Sequence, residues 1–172
     1  ISYDGTAYFG WQRQKEHRSV QQTLEEVLER LASGEKVVCH ASGRTDTGVH
    51  AVGQVVHFHS NVKLSPDKLL GAMNGLLPKD VVVKSVEVVP DDFHASTSAK
   101  RKLYRYVIND ARAPDVFLRR YSWHFPYCRL NEVAMNEAAR YLLGEHDFRC
   151  FETNWPNRKS SVRTITYIKV CR

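Results

Sequence analysis

The 172-residue chain contains no run of about 18 consecutive apolar residues, the length that a membrane-spanning helix needs. No spanning helix is therefore expected. The chain also lacks an opening basic stretch followed by an apolar one, so no signal peptide is visible. It begins at Ile1, inside what reads as a strand, rather than at Met; some N-terminal sequence is expected to be missing. Cysteine is sparse. Cys39, Cys128, Cys150 and Cys171 form no C-x-x-C pair, which leaves a zinc site or a disulfide framework with little support and fits a reducing cytoplasm. Short repeats and low-complexity segments are absent. What remains is ordinary for a soluble globular protein: 42% hydrophobic, 26% charged, and long enough to bury a core.

Charge is unevenly placed. Residues 1–99 hold 10 Lys/Arg against 12 Asp/Glu, a net −2, whereas residues 100–172 hold 15 against 7, a net +8. The basic clusters are Lys100, Arg101, Lys102 and Arg105, then Arg119 and Arg120, then Arg158, Lys159 and Arg163. Basic charge gathered in one region attracts phosphates, so a nucleic-acid partner ranks above an ordinary solvated surface.

The hydrophobic periods give the element order. Residues 1–5 read as a strand end. Ser19 is a predicted N-cap, with Gln22 three residues on in capping-box register, and Val20, Leu24, Val27, Leu28 and Leu31 share a helical face that Gly34 ends. Val37 to Cys39 and Val52 to Phe58 read as strands. Ser65 and Pro66 open a second helix carrying Leu69, Leu70, Met73, Leu76 and Leu77. Val81 to Val89 is β-rich. The resulting β-α-β-β-α-β order predicts an α+β fold built on a ferredoxin-like, RRM-like unit over residues 1–89. After a Pro-Asp-Asp link at 90–92, a second half over 90–172 reads β-α-β: strand 101–109, an irregular stretch 110–129, a helix capped by Asn131 with Gly144 at its C′ position, and strand 162–170. It is expected to be a second unit, truncated.

Four stretches carry candidate chemistry. "GRTDTGVHA", residues 43–51, places Asp46 between Thr45 and Thr47 and two residues from Arg44. It lies between two strands, where function often sits. No Glu or Gln stands at Val49 to make a capping box, and no Gly-Lys-Ser/Thr makes it a phosphate loop. A carboxylate kept ionised by a neighbouring guanidinium can serve as nucleophile, base or electrostatic stabiliser; the alternative is a turn in which Asp46 accepts backbone N–H groups. His57 and His59 share a strand face and are a conceivable metal pair with His50 nearby, but a third ligand from His40 or His94 would need tertiary proximity. "KRKLYRYVI", residues 100–108, interleaves Lys102 and Arg105 with Tyr104 and Tyr106, a pattern for stacking bases and holding phosphates; both tyrosines could equally be core. "GTAYFGWQRQ", residues 5–14, offers exposed aromatics and Arg13 to RNA, or a lid on the sheet.

Taken together, "YDGTAYFGWQRQ", "SVQQTLEEVL", "GRTDTGVHA", "GQVVHF", "NGLLPKDV" and "DDFHASTSAKRKLYRYVI" resemble, in order and over nearly the whole chain, the tRNA pseudouridine synthase A family. The resemblance implies a pseudouridine-synthase mixed antiparallel sheet flanked by helices. It implies an isomerase that converts uridine to pseudouridine in the tRNA anticodon stem–loop, at tRNA positions 38 to 40, with no metal or organic cofactor, usually as a homodimer. Asp46 matches the family's catalytic aspartate, Arg44 the arginine that pairs with it and helps hold the flipped nucleotide, and Tyr104 the tyrosine that packs on the target uracil. Arg13, Lys102 and Arg105 are the substrate-binding candidates beside them. The family's further arginine, in a His-Met-Val-Arg-Asn type segment, has no counterpart before Arg172, so this chain is expected to be a portion of a larger enzyme. A non-catalytic RNA-binding module is the runner-up, and a histidine metallohydrolase the weakest reading.

Overall fold

A computed structural model describes residues 1–152 and 160–172. The described chain is a mixed α/β protein with three α-helices and short two-stranded sheets. It divides into two compact units, Ile1–Tyr104 and Arg105–Arg172.

The first unit runs β1 (Ser2–Tyr3), a 3₁₀ turn at Gly5–Ala7, α1 (Val20–Leu31), β2 (His40–Ala41), β3 (Val56–His57), α2 (Pro66–Leu76) and β4 (Val81–Val82). β1 pairs antiparallel with β4 through Ser2–Val82 and Tyr3–Val81. β2 pairs antiparallel with β3 through His40–His57 and Ala41–Val56. An antiparallel bridge between Tyr3 and Ala51 ties β1 to the segment entering β3.

The helix starts follow the sequence. Ser19 accepts the Gln22 N–H at 3.2 Å, closing half of a capping box. The other half does not form, because the Gln22 amide donates instead to Glu26 at 2.8 Å. At the far end Ser33 takes the left-handed conformation at φ 56°, and the Gly34 N–H reaches back to the Glu29 carbonyl at 2.8 Å. That is a Schellman-type close, with serine at the position glycine usually holds. Pro66 sits at the start of α2, where its missing N–H costs nothing.

The apolar stripe of α1 packs with Leu69, Met73 and Leu77 around α2 and with Tyr3, Tyr8, Trp11, Val37, Val81 and Val83. Val20 and Leu28 are fully buried. Each such side chain stabilises the fold by roughly 1.5–3 kcal/mol through apolar burial.

The second unit holds β5 (Ile108–Asn109), β6 (Trp123–His124), α3 (Glu132–Arg140), β7 (Gly144–Asp147), a 3₁₀ turn at Arg149–Phe151 and β8 (Val162–Ile165). β5 and β6 are parallel, and β7 and β8 antiparallel. Asn131 caps α3 as expected, accepting the Val133 and Ala134 N–H groups at 3.1 Å each. Several expectations change, and the strand read over 162–170 is seen only at Val162–Ile165. The strand over 101–109 narrows to Ile108–Asn109, because only there does a partner strand lie alongside; and that partner, β6, falls in the stretch read as irregular. Gly144, at φ 97°, opens β7 three residues beyond the Tyr141 cap instead of closing α3.

Candidate active site

The loop that joins β2 to β3 carries Asp46. Its backbone is fastened to the aromatic loop before α1. The Trp11 N–H donates to the Thr45 carbonyl at 2.9 Å, and the Gly48 N–H donates to the Tyr8 carbonyl at 3.1 Å. Tyr3 Oη and Thr45 Oγ1 share a hydrogen bond of 2.8 Å. The Gly5 N–H donates to His50 Nδ1 at 3.1 Å. Gly5 and Gly10 make this closeness possible: a Cβ on Gly5 would strike the Val49 carbonyl, and one on Gly10 the Thr45 carbonyl. Gly10 also holds φ 79°, a left-handed conformation that glycine adopts without strain. The framing glycines of the 5–14 stretch are thus what lets the aromatic loop lie directly on the carboxylate loop.

At the base of the same loop, Ser42 Oγ donates to Gln54 Oε1 at 2.7 Å, and the Gln54 amide donates to the Gly43 carbonyl. The Ser42 N–H reaches the Val55 carbonyl at 2.8 Å. A stiff frame therefore presents an exposed Asp46 side chain. The turn reading, in which Asp46 is spent on backbone N–H groups, does not describe it: the Val49 N–H goes to the Asp46 carbonyl at 3.1 Å, leaving the carboxylate to solvent.

Arg44 is also exposed. The arginine ion pairs of the first unit are Arg13–Glu25 and Arg18–Asp80; among the described residues none joins Arg44 to Asp46. Two exposed charges gain little from contact in water, so nothing compels these side chains together.

Lys102 does arrive at the loop. Its Nζ lies over the open side of Gly43, so close that a Cβ there would stand 2.9 Å from it. Tyr104 is 73% exposed and Tyr106 87% exposed, which removes the reading of both as core. Arg105 is exposed and belongs to the second unit. In the basic clusters, Arg119 donates to the Val116 carbonyl at 2.7 Å and Arg163 to the Ser160 carbonyl at 2.8 Å. Arg158 and Lys159 lie outside the described residues.

Arg13 is held by α1. Its Nη1 donates to Glu25 Oε2 at 2.8 Å, and that bond holds its guanidinium charged more firmly than usual. Glu25 is 3% exposed. Its Oε1 accepts the Cys39 N–H at 3.0 Å and the Gln21 amide at 2.9 Å, and Gln21 Oε1 accepts the Arg13 N–H at 2.9 Å. Sequence reasoning missed this pair. The available signal was two polar residues, Gln21 and Glu25, spaced i, i+4 on the apolar face of α1. A buried carboxylate survives there because both of its oxygens find donors, one of them a guanidinium. Arg13 also lines a shallow depression of about 390 Å³ with Gln14, Lys15 and Gln22.

The histidines gather more closely than the sequence required. His57, 9% exposed, packs with His40 at 5.0 Å, His94 at 4.5 Å and His59 at 6.2 Å between ring centroids. The rings pack face or edge against one another, and among the described residues no group of three or more His, Cys, Asp or Glu is arranged to hold a metal ion.

This arrangement defines a loop that presents a carboxylate, with a lysine lying over Gly43 of the same loop. Comparison with known proteins gives the family of the chain. The family model described as tRNA pseudouridine synthase matches residues 1–97. The chain is 44% identical over 170 residues to the tRNA pseudouridine synthase A of Pseudothermotoga lettingae, covering 99% of this chain and 69% of that protein. It is 48% identical over 165 residues to the tRNA pseudouridine synthase A of Geobacillus sp., covering 96% and 66%, and 47% identical over 166 residues to that of Bacillus licheniformis, covering 96% and 67%. The chain belongs to the tRNA pseudouridine synthase family. It spans 69%, 66% and 67% of the length of these three relatives.

Proposed function

We propose that the chain carries the catalytic loop of an enzyme that isomerises uridine to pseudouridine in tRNA, at positions 38 to 40 of the anticodon stem–loop. The observation that carries this reading is the exposed Asp46 on a loop braced by Trp11, Tyr8 and Tyr3, in a chain of this family. The reaction breaks the N1–C1′ glycosidic bond, turns the uracil and joins C5 to C1′; a proton leaves C5 and one is gained at N1. No redox equivalent is consumed. A stem uridine is out of reach until it is flipped from the stack. Asp46 is the catalytic carboxylate, attacking the sugar or the base or assisting elimination at the sugar. Arg44 closes on Asp46 and the flipped nucleotide when RNA is bound, drawing an exposed side chain inward. Tyr104 offers a ring to stack on the uracil and a hydroxyl for the C5 proton. Lys102, Arg105 and Arg13 are the substrate contacts, with Lys102 favoured by its place at Gly43.

The same reading extends to the fold and the assembly. The first half, 1–89, is a ferredoxin-like unit: the β4–β1 pair, the Tyr3–Ala51 bridge and the β3–β2 pair, all antiparallel, support it. The second half, 90–172, is a basic RNA-contacting unit, supported by its net +8. The complete enzyme is a cytoplasmic homodimer. Among the described residues no helix is long and apolar enough to cross a membrane.

Asp46→Asn tests the core of the proposal. Pseudouridine formed on an anticodon stem–loop should fall at least ~10³-fold, the scale seen when a reacting group is removed, while binding of the same RNA stays nearly unchanged. Turnover that survives the change would sink the assignment.

A further inference from the structure

The histidine cluster sits where two functional segments meet. β2 leads from His40 directly into Ser42 and Gly43 of the carboxylate loop. The segment 93–98 leads into Lys102 and Tyr104. Between them stands His57 of β3, paired in register with His40.

The 93–98 segment is a compact turn. Its Ser98 N–H reaches the His94 carbonyl at 2.8 Å, and its Ala95 is 2% exposed. Among the described residues one hydrogen bond fixes this turn to the sheet: the buried Ala95 N–H donates to His57 Nδ1 at 3.1 Å. Phe93 stands edge-on to the same ring at 6.1 Å and His94 at 4.5 Å. Beyond Ser98, residues 99–106 make no hydrogen bond among the described residues, yet Lys102 Nζ still lands on Gly43. The hold on the turn is therefore the nearest fixed point behind Lys102.

We propose that His57 is a positioning residue: its neutral ring latches the 93–98 turn to β3 and thereby places Lys102 and Tyr104 at the loop that carries Asp46. The claim rests on the reading of that loop as the active site. It names a role for a side chain that does not touch the reacting groups.

The chemistry of the latch is specific. Nδ1 accepts a backbone N–H only while it is unprotonated. A proton there would replace an acceptor with a donor facing Ala95 N–H and strand a buried amide. The groups facing the ring are His40 from β2, His59 from its own strand, and His94 with Phe93 from the turn. Burial first, then His94, His40 and His59, push the His57 imidazole below its ordinary value; a backbone hydrogen bond at His40 opposes them. The ring is thus neutral at pH 7, and acidification below about 6.5 protonates the unfolded chain before the folded one. Stability from this group is complete above that value and declines as pH falls toward the lowered one.

The test uses the full chain with and without two substitutions. In the unsubstituted protein, NMR should show Ala95 amide exchange accelerating as the His57 ring titrates, with the Leu28 amide still protected. Pseudouridine formation should fall over the same pH range. His57→Asn supplies an uncharged acceptor near the place of Nδ1; activity at neutral pH should be largely kept and the acid decline attributable to His57 should disappear. His57→Phe removes the acceptor and should lower kcat/KM about 10- to 100-fold at every pH, the scale of a small misplacement. The proposal is overturned if Ala95 exchange ignores the titration of His57, or if His57→Asn keeps the full acid decline or is as impaired as His57→Phe. The exchange measurement requires no catalysis, so it stands apart from failure of the Asp46 assignment, which Asp46→Asn exposes by itself.

Discussion

The two units of the chain are built on different terms. Among the described residues, the buried apolar side chains run from Tyr3 to Ala95 and all belong to the first unit, with Ala139 the one exception. The second unit is organised by charge. Asp110 accepts both nitrogens of Arg172 at 3.0 Å, the Leu130 N–H at 2.9 Å and Arg129 at 3.4 Å, and Arg172 also reaches Glu132 at 3.3 Å. Its large rings stay in water: Phe117, Tyr127 and Tyr141 are all more than 80% exposed. A loop that must hold one carboxylate in place gains from a close-packed base, since a packed interior does not yield gradually. A surface that grips a polyanion gains from mobile cations, because much of its binding comes from releasing counterions.

The comparison is broken or sharpened most strongly in the core. Leu28→Ala should cost roughly 2–5 kcal/mol of unfolding free energy, whereas Val133→Ala, on the 66%-exposed side chain of α3, should change it by less than about 0.5 kcal/mol. Denaturant titration of both variants decides it; equal costs would mean that the second unit has a core of its own. A smaller effect is expected on RNA. Lys102→Ala and Arg119→Ala should each weaken binding of an anticodon stem–loop and lower the slope of log K against log salt by about one. An unchanged slope for Arg119→Ala would detach the second unit from the RNA. Smallest is the acid response. Arg172 first, then the Leu130 N–H, hold the Asp110 carboxyl well below its ordinary range. The stability this gives is present above the unfolded value, near 3.9, and is lost as pH falls below it. Exchange of the Leu130 amide should rise below pH 4, and Asp110→Asn should make it fast already at pH 7; a protected Leu130 amide in that variant would remove the ion cluster from the account.

How much of this was legible in the sequence depended on range. The three helices are local objects: a 3.6-residue apolar period with Ser19, Pro66 and Asn131 at their starts locates each of them. Strands are not local. Val52 to Phe58 and Arg101 to Asn109 have the alternation of strands, but pairing needs a neighbour, and the neighbours meet them only at Val56–His57 and Ile108–Asn109. Tyr121, Trp123 and Phe125 alternate in the stretch taken as irregular, and that was the readable trace of β6. In the candidate site, the motif around Asp46 stood out by its residue types. The Glu25–Arg13 bond left only the trace of Gln21 and Glu25 on the apolar face of α1, and the Ala95–His57 bond, which joins residues far apart in the chain, had no local signature.

The pairing of Ser2 with Val82 has a bearing on how the first unit is made. A ribosome releases Ser2 long before Val82, so the outer edge of this sheet stays open through most of the unit's synthesis. The contact of Tyr3 with Ala51 can close earlier, and the docking of Ala95 on His57 later than either. The residues of the carboxylate loop thus leave the ribosome before the arm that bears its lysine.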